Sequence, residues 1–328
     1  MNLTEVRIIA NLSFTEGHIR EIRPFSFREF LRHRGEEPES EAQRWSAGER
    51  SLVEGRLGEF VTEGGFPEAQ GLAAFLRIEL FQGYVDTVLF RDVVERYEVT
   101  QVAALRWVVR QCLRNPAGSF SVHRLHQDLK AQGPGLVKDA VHGMVGHLLD
   151  AFLLSAVPLA TEFERLRNSN PRKFYPVDPG LIRAFDASGR SNVGRALETA
   201  VANELERCGM EIGYQQTLRG REVDFLVRHP AGGTELVQVC ADLANADTLT
   251  RELQAFTDPS PRFEFGCTGS PSVGFTACTR HTEFTLANTF GAGLSGGLPR
   301  FRTGGQFTGE SPFVEFGFVA RKRYTSDS

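Results

Sequence analysis

Two short strand patterns joined by a tight turn constrain the second half of this 328-residue chain more than any other feature. The first, residues 221–227, reads Arg-Glu-Val-Asp-Phe-Leu-Val and places the acidic Asp224 at the core-facing edge of an apolar strand. The second, residues 236–240, reads Leu-Val-Gln-Val-Cys, and a proline and two glycines lie between the two patterns. Apolar runs bounded by such turn residues predict an antiparallel hairpin.

The residues around this hairpin predict a small α/β core. A helical pattern runs over 193–208 and stops at Gly209, a residue that favours helix ends. Strand patterns follow at 211–217, 222–227 and 235–240, and an amphipathic helix is expected over about 247–256. We therefore expect one helix, three strands and a second helix in about seventy residues.

An acidic residue on one strand, followed by Glu-x-Lys on the next, is the layout of nucleases that cut phosphodiesters with divalent metals. Here the candidate set is Glu198 on the helix, Asp224, Gln238 and Cys240, so the second strand reads Gln-x-Cys. Gln238 offers only a neutral oxygen and Cys240 is a poor magnesium ligand without positive charge. The lost lysine would remove electrostatic stabilisation of the reaction. We interpret the set as a degenerate site.

The same residues leave an alternative open. Asp224 and Glu198 are the candidate metal ligands, and Glu222 is a possible third, although we expect its side chain to face away from that of Asp224. Magnesium is expected only if this site is active. No other cofactor is expected.

The middle of the chain, residues 100–177, has the element order of a winged helix. Helical patterns over 102–113 and 137–149 flank a third helix, on which Leu125 and Leu129 face inward. A strand at 152–157 and a partner at 172–177 complete the order. Winged helices bind DNA, but they also serve as spacers and protein-binding modules.

Cations near the predicted recognition helix and wing are the candidate DNA contacts, because phosphate binding needs such charges on one face. They are Lys138, His142, Arg165, Arg167, Arg172 and Lys173. The helix also carries Asp139 and Asp150, and no Arg or Asn is placed to read bases. Sequence-specific recognition is therefore not expected.

The first hundred residues predict helices. Ser26 and Glu29 form a capping box at the start of one helix, and residues 36–50 are expected to be a surface loop. Helical periodicity covers 51–63 and 72–96, and the second helix is expected to bury Leu76, Leu80, Tyr84, Val88 and Phe90.

Composition and absent motifs exclude several classes of function. The chain has no G-x-x-x-x-G-K-[ST] motif, so we do not expect it to bind ATP through a P-loop. Its net charge of −4 predicts that any contact with nucleic acid is local. Five cysteines without C-x-x-C pairing, no signal peptide and no long apolar run predict a cytoplasmic protein without membrane contact.

Residues 258–328 differ in character from the rest. They are rich in Gly, Phe, Thr and Ser, and no helical or strand period persists. We expect a disordered tail or the product of a reading-frame shift.

Several segments form a specific set only when taken together. They are 24–31 (Pro-Phe-Ser-Phe-Arg-Glu-Phe-Leu), 64–68 (Gly-Gly-Phe-Pro-Glu), 90–97, 173–181 (Lys-Phe-Tyr-Pro-Val-Asp-Pro-Gly-Leu), Glu198 with Val201 and Leu205, and 222–225. Over about residues 15–257 the set resembles the prokaryotic AAA-type ATPases that carry a C-terminal domain of unknown function, number 4143 in its series. The resemblance implies a helical lid, a winged helix and a restriction-endonuclease-like domain, with Gln-x-Cys marking one version of the last site.

Two departures from this family shape the expected architecture. The P-loop half is absent, and the tail does not resemble the family's closing strand and helix. We expect an α+β multidomain protein with four segments: the end of the ATPase core and a helical lid (1–97), a winged helix (98–185), a nuclease-like α/β domain (186–257) and the unassigned tail (258–328).

The expected function is that of a truncated, non-catalytic module that binds DNA or another protein. A divalent-metal nuclease is one alternative, and a decayed gene product without stable function is the other.

Overall fold

The computed structural model describes most of the chain between residues 22 and 241 and four short strand segments beyond it. The described ranges are 13–15, 18–20, 22–39, 44–120, 122–131, 137–161, 165, 171–186, 192–230, 232–241, 272–273, 276–279, 282–285 and 318–324. The expected helix over 247–256 lies outside these residues, as does Arg167.

Eight helices lie within the described residues. They are α1 (Phe27–His33), α2 (Ala47–Glu63), α3 (Ala74–Val88), α4 (Val102–Arg114), α5 (Val122–Lys130), α6 (Lys138–Asp150), α7 (Gly180–Phe185) and α8 (Val193–Arg207). The axis of α3 continues through a π-helical segment, Leu89–Val94, to Tyr97. None of the described helices is long and apolar enough to cross a membrane.

Two capping boxes fix the starts of the first helices. The predicted box at α1 is confirmed: the Ser26 hydroxyl accepts from the backbone N–H of Glu29, whose carboxylate accepts from the backbone N–H of Ser26. A second box, Ser46 with Glu49, starts α2 inside the segment predicted to be a loop. The polar run before residue 51 is thus partly the capped first turn of a helix.

The predicted buried face of α3 is wrong in part. Leu76 and Phe90 are 42% and 41% exposed, whereas Phe81, Val85 and Val88 are buried. The buried face of the helix is rotated relative to the predicted one. Arg77 lies on this buried face, where it reaches Glu63.

A three-stranded antiparallel sheet follows α4. Its strands are β3 (Ser119–Phe120), β4 (Leu154–Val157) and β5 (Arg172–Pro176), in the order β3-β5-β4. The predicted pairing of the last two strands is confirmed, with Ser155 opposite Tyr175. Leu125 and Leu129 of α5 are buried as predicted, and α5 packs on α6.

The second sheet contains the hairpin predicted from residues 221–240. Strands β6 (Glu211–Gln216), β7 (Glu222–Arg228) and β8 (Thr234–Cys240) run antiparallel in that order, and α8 packs against them. Beyond β8 lie β12 (Phe318–Tyr324) and then β9 (Ser272–Val273). The region predicted to lack strands therefore contains some, including the pair β10 (Thr276–Thr279) and β11 (Thr282–Thr285). A further pair, β1 (Ser13–Thr15) with β2 (His18–Arg20), precedes α1.

The chain leaving β4 joins the two sheets. Leu159 pairs in parallel with Tyr214 of β6, and the Ala160 N–H donates to the Tyr214 carbonyl at 2.7 Å. The Tyr214 hydroxyl donates to the carbonyl of Pro171, just before β5. These bonds hold the β4–β5 hairpin against the edge of the second sheet, so that β5 reaches toward β7.

A buried carboxylate fixes the turn after α2 to the start of α7. Asp178 accepts from the backbone N–H groups of Gly65 and Gly180 at 2.6 and 2.7 Å. Gly64 has φ +83°, and a Cβ there would lie 2.1 Å from the Asp178 carboxylate. Only glycine fits this turn, since both its backbone conformation and the close approach exclude a side chain.

Asp178→Asn is expected to lower the free energy of unfolding by about 1–3 kcal/mol, because an amide nitrogen would face one of the two buried N–H donors. Urea unfolding followed by circular dichroism measures the loss. Asp92→Asn, which removes the same charge from an exposed position, serves as the control. Equal effects of the two substitutions would contradict this role of Asp178.

Candidate functional site

The candidate site is a cluster of three carboxylates around the ammonium group of Lys173. Lys173 lies on β5, Glu198 on α8, and Glu222 and Asp224 on β7. The Lys173 Nζ atom is 2.8 Å from Glu222 Oε1, 3.1 Å from Glu198 Oε1 and 3.2 Å from Asp224 Oδ1. Residues from three separate elements therefore meet at one cation.

The prediction that Glu222 faces away from Asp224 is wrong. Both side chains contact the same ammonium group. Side chains alternate between the two faces of a strand, so residues two positions apart share a face. Glu222 therefore belongs to the cluster together with Glu198 and Asp224, the two predicted ligands that the structure also brings together.

Lys173 is not available to a DNA phosphate at this position, which corrects its prediction as a wing contact. It is 1% exposed, and its ammonium group has three N–H donors for three carboxylate partners. The neighbouring Tyr175, on the same face of β5, is fully buried and donates its hydroxyl to Glu198 Oε1 at 2.8 Å. The two residues together supply four hydrogen-bond donors to the carboxylates.

Burial and neighbouring charges shift the pKa values of Lys173, Asp224 and Glu198. Burial opposes the charged form of Lys173, but the three carboxylates outweigh it and raise its pKa above the ordinary value. Burial, followed by the negative charge of Glu198, raises the pKa of Asp224 to about 8. Burial also raises the pKa of Glu198, against the pull of Lys173. Three carboxyl groups share one cation, and the excess negative charge favours uptake of a proton.

Gln238 and Cys240 contribute to the strand structure around the cluster. The ladder between β7 and β8 extends from Phe225 to Arg228 and stops short of Asp224. There the Asp224 N–H donates to the Gln238 side-chain oxygen at 3.1 Å, and the Val239 N–H donates to Asp224 Oδ2 at 2.9 Å. Both Gln238 and Cys240 are buried. Side chains thus replace the missing backbone bonds where the two strands separate.

The structure describes four of the remaining predicted DNA contacts, and none of them is part of the cluster. Lys138 and His142 are exposed on α6, Arg165 is exposed, and Arg172 is half-buried on β5 beside Lys173. In the described residues, no group of three or more His, Cys, Asp or Glu side chains is arranged to hold a metal ion.

Sequence reasoning did not place Lys173 and Tyr175 in the site. The available signal was their spacing: two residues apart on a strand, they share one face, and a lysine inside the buried run of β5 requires a charged partner. The partner Asp224 lies 51 positions further along the chain. Only the contact between the two sheets identifies it.

Comparisons with known proteins match parts of the chain. Residues 55–192 match a family described as "Domain of unknown function (DUF8612)". An uncharacterized protein of Methanocaldococcus jannaschii, MJ1544, is 30% identical over 242 residues, which cover 72% of this chain and 52% of the relative. An uncharacterized protein of Haemophilus influenzae is 23% identical over 207 residues, or 63% of this chain and 49% of the relative.

This chain thus spans about half the length of the curated relatives that it matches. No solved structure matches it significantly. The descriptions of this family and of both relatives name no activity.

Lys173→Met keeps the length of the side chain but removes the cation. We expect it to lower the free energy of unfolding by about 3 kcal/mol at pH 8, because three carboxylates lose their buried counter-charge. A carboxyl group whose pKa is raised on folding stabilises the fold at low pH and loses that contribution as the pH rises through the raised value. The loss should therefore fall to roughly half at pH 5, because Asp224 and Glu198, whose pKa values burial raises, take up protons there.

Urea unfolding at both pH values measures this effect, and Lys138→Met, at an exposed position, is the matched control. A Lys173→Met variant that is as stable as the wild type at pH 8 would show that the ammonium group is not the counter-charge of the cluster.

Proposed function

We propose that the chain is a non-catalytic DNA-binding module related to AAA-type ATPases, with a winged helix and a degenerate nuclease-like domain. The position of Lys173 supports the proposal that the chain is not a catalyst. Its three donors are all directed at Glu198, Glu222 and Asp224. A lysine that assists phosphodiester cleavage needs a donor free for the phosphate or the attacking water. No such donor remains here.

The winged-helix assignment is supported by the order of elements. Helix α4 is followed by β3, α5, α6 and the hairpin β4–β5, and the strand order β3-β5-β4 places the first strand beside the last. In this arrangement α6, with Lys138 and His142 exposed, is the candidate recognition helix.

The resemblance to AAA-type ATPases is supported by the way its motifs meet. Phe25, in segment 24–31, donates its backbone N–H to the carbonyl of Gly65, in segment 64–68. Asp178, in segment 173–181, accepts from the backbone N–H of Gly65. The Arg207 side chain of α8 donates to the carbonyl of Pro24. Segments far apart in sequence thus meet at one junction.

The choice of DNA over a protein partner rests on local charge. Residues 98–185 contain eleven Lys and Arg against seven Asp and Glu, a net charge of +4, whereas the whole chain carries −4. Among those that the structure describes, Lys173 and Asp178 are buried. The remaining excess of cations attracts a polyanion to this segment, although the protein as a whole is acidic.

A divalent-metal nuclease is the second candidate. It is favoured by the presence of Glu222 and a lysine beside Glu198 and Asp224, which restores the residue types of such a site. In this case a metal would bind at the carboxylates, and Lys173 would have to turn toward the phosphate.

Incubation of the purified chain with supercoiled plasmid and magnesium or manganese separates the two candidates. We expect DNA binding in a gel-shift assay and no cleavage above that of the Asp224→Ala variant. Cleavage by the wild type that is lost in both Asp224→Ala and Lys173→Met would support the nuclease instead. Arg91→Gln serves as the control, because Arg91 is exposed and belongs neither to the cluster nor to the predicted DNA contacts.

A further inference from the structure

Helix α4 presents a row of three arginines to solvent. Arg106, Arg110 and Arg114 are exposed and four positions apart, so that they follow one face at intervals of about 6 Å along the helix axis. The opposite face, with Leu105, Val108, Val109, Cys112 and Leu113, is buried in the core. The helix contains no Asp or Glu.

Two of the three arginines have no counter-charge in the part of the chain that the structure describes. Arg106 lies 3.5 Å from Asp86 and stacks over the ring of Phe90 at 5.1 Å. Arg110 and Arg114 form no ion pair with any described residue. Like charges four positions apart repel each other on a helix. Arg114 lies in the last turn, where the helix dipole favours a cation, but Arg110 lacks that compensation.

The chemistry of this face fits the phosphate backbone of a duplex. The core of a protein–protein interface is more apolar than its rim, and α4 itself exposes no large apolar side chain. The exposed ring beside the row, Phe90, lies under the guanidinium group of Arg106. A groove for single-stranded nucleic acid uses exposed aromatic rings as stacking platforms, and the only aromatic residue of α4, Trp107, is partly buried against the core. A row of cations without side chains placed to read base edges suits contacts with phosphate groups.

We infer that Arg110 and Arg114, with Arg106 beside them, form a second contact surface for the backbone of duplex DNA, in addition to α6. This inference rests on the proposed function, since it requires that the chain bind DNA. It assigns to α4 a sequence-independent contact that contributes affinity and orientation.

Fluorescence anisotropy with a labelled duplex of about 20 base pairs and mixed sequence tests the surface over a range of salt concentrations. Arg110→Gln/Arg114→Gln should weaken binding at least about fivefold at low salt. It should also reduce the slope of log K against log salt by about 2, because two phosphate contacts are lost. Arg110→Lys/Arg114→Lys keeps the charges and should retain most of the affinity.

The matched control is Arg91→Gln/Arg96→Gln, which removes two exposed arginines from the preceding helical segment. It should bind within about twofold of the wild type. Equal weakening by both double variants, or no weakening by Arg110→Gln/Arg114→Gln, would overturn the assignment. Binding of poly-glutamate with the same dependence on Arg110 and Arg114 would overturn DNA as the partner.

Failure of the wild type to bind any duplex would refute the proposed function and this inference together. Wild-type binding that depends on Lys138 and His142 but is unchanged in Arg110→Gln/Arg114→Gln would refute this inference alone. Circular dichroism of each variant confirms that the substitutions leave the helix folded.

Discussion

The ammonium group of Lys173 is the interaction on which the arrangement of the two sheets depends. Removing three carboxylates and a lysine from water is costly, and the cost is offset only when opposite charges and donors are matched closely. Glu198, Glu222 and Asp224 lie within 3.2 Å of Nζ. Because Lys173 comes from β5 and its partners come from α8 and β7, the match requires the β4–β5 hairpin to lie against the second sheet.

The number of carboxyl groups in the cluster fits a single lysine as their cation. With Gln at position 238 the site holds three carboxyl groups, and burial together with Glu198 already raises the pKa of Asp224 to about 8. A glutamate at position 238 would add a fourth carboxyl group beside a single ammonium. Gln238 instead accepts from the Asp224 backbone N–H without adding charge. Gln238 and Lys173 are therefore consistent with each other, because the amide adds no charge beside a cluster that has a single cation.

Local patterns predicted most elements of this structure, while the contacts that define the site are long-range. The capping box at Ser26, the end of α8 near Gly209 and strands β5 to β8 follow from residues close in sequence. The Lys173–Asp224 contact does not, because nothing local to β5 identifies a partner 51 positions away. The error at Glu222 was different in kind: strand alternation already places it with Asp224. At Leu76 the apolar pattern failed because a buried arginine, Arg77, occupies part of the core-facing side of α3.

The buried cluster also affects the field outside the protein. Glu198 and Asp224 are directed at Lys173, with side chains 14% and 11% exposed, so the ammonium offsets part of their charge and proton uptake by Asp224 reduces it further. The arginines of α4 are placed in the opposite way, with exposed side chains on a helix that has no acidic residue. An acidic chain can therefore present a positive surface, since charge in close internal pairs contributes little to the potential at a distance. The exposed cations of α4 and α6, Arg106, Arg110, Arg114 and Lys138, therefore remain available to a polyanion.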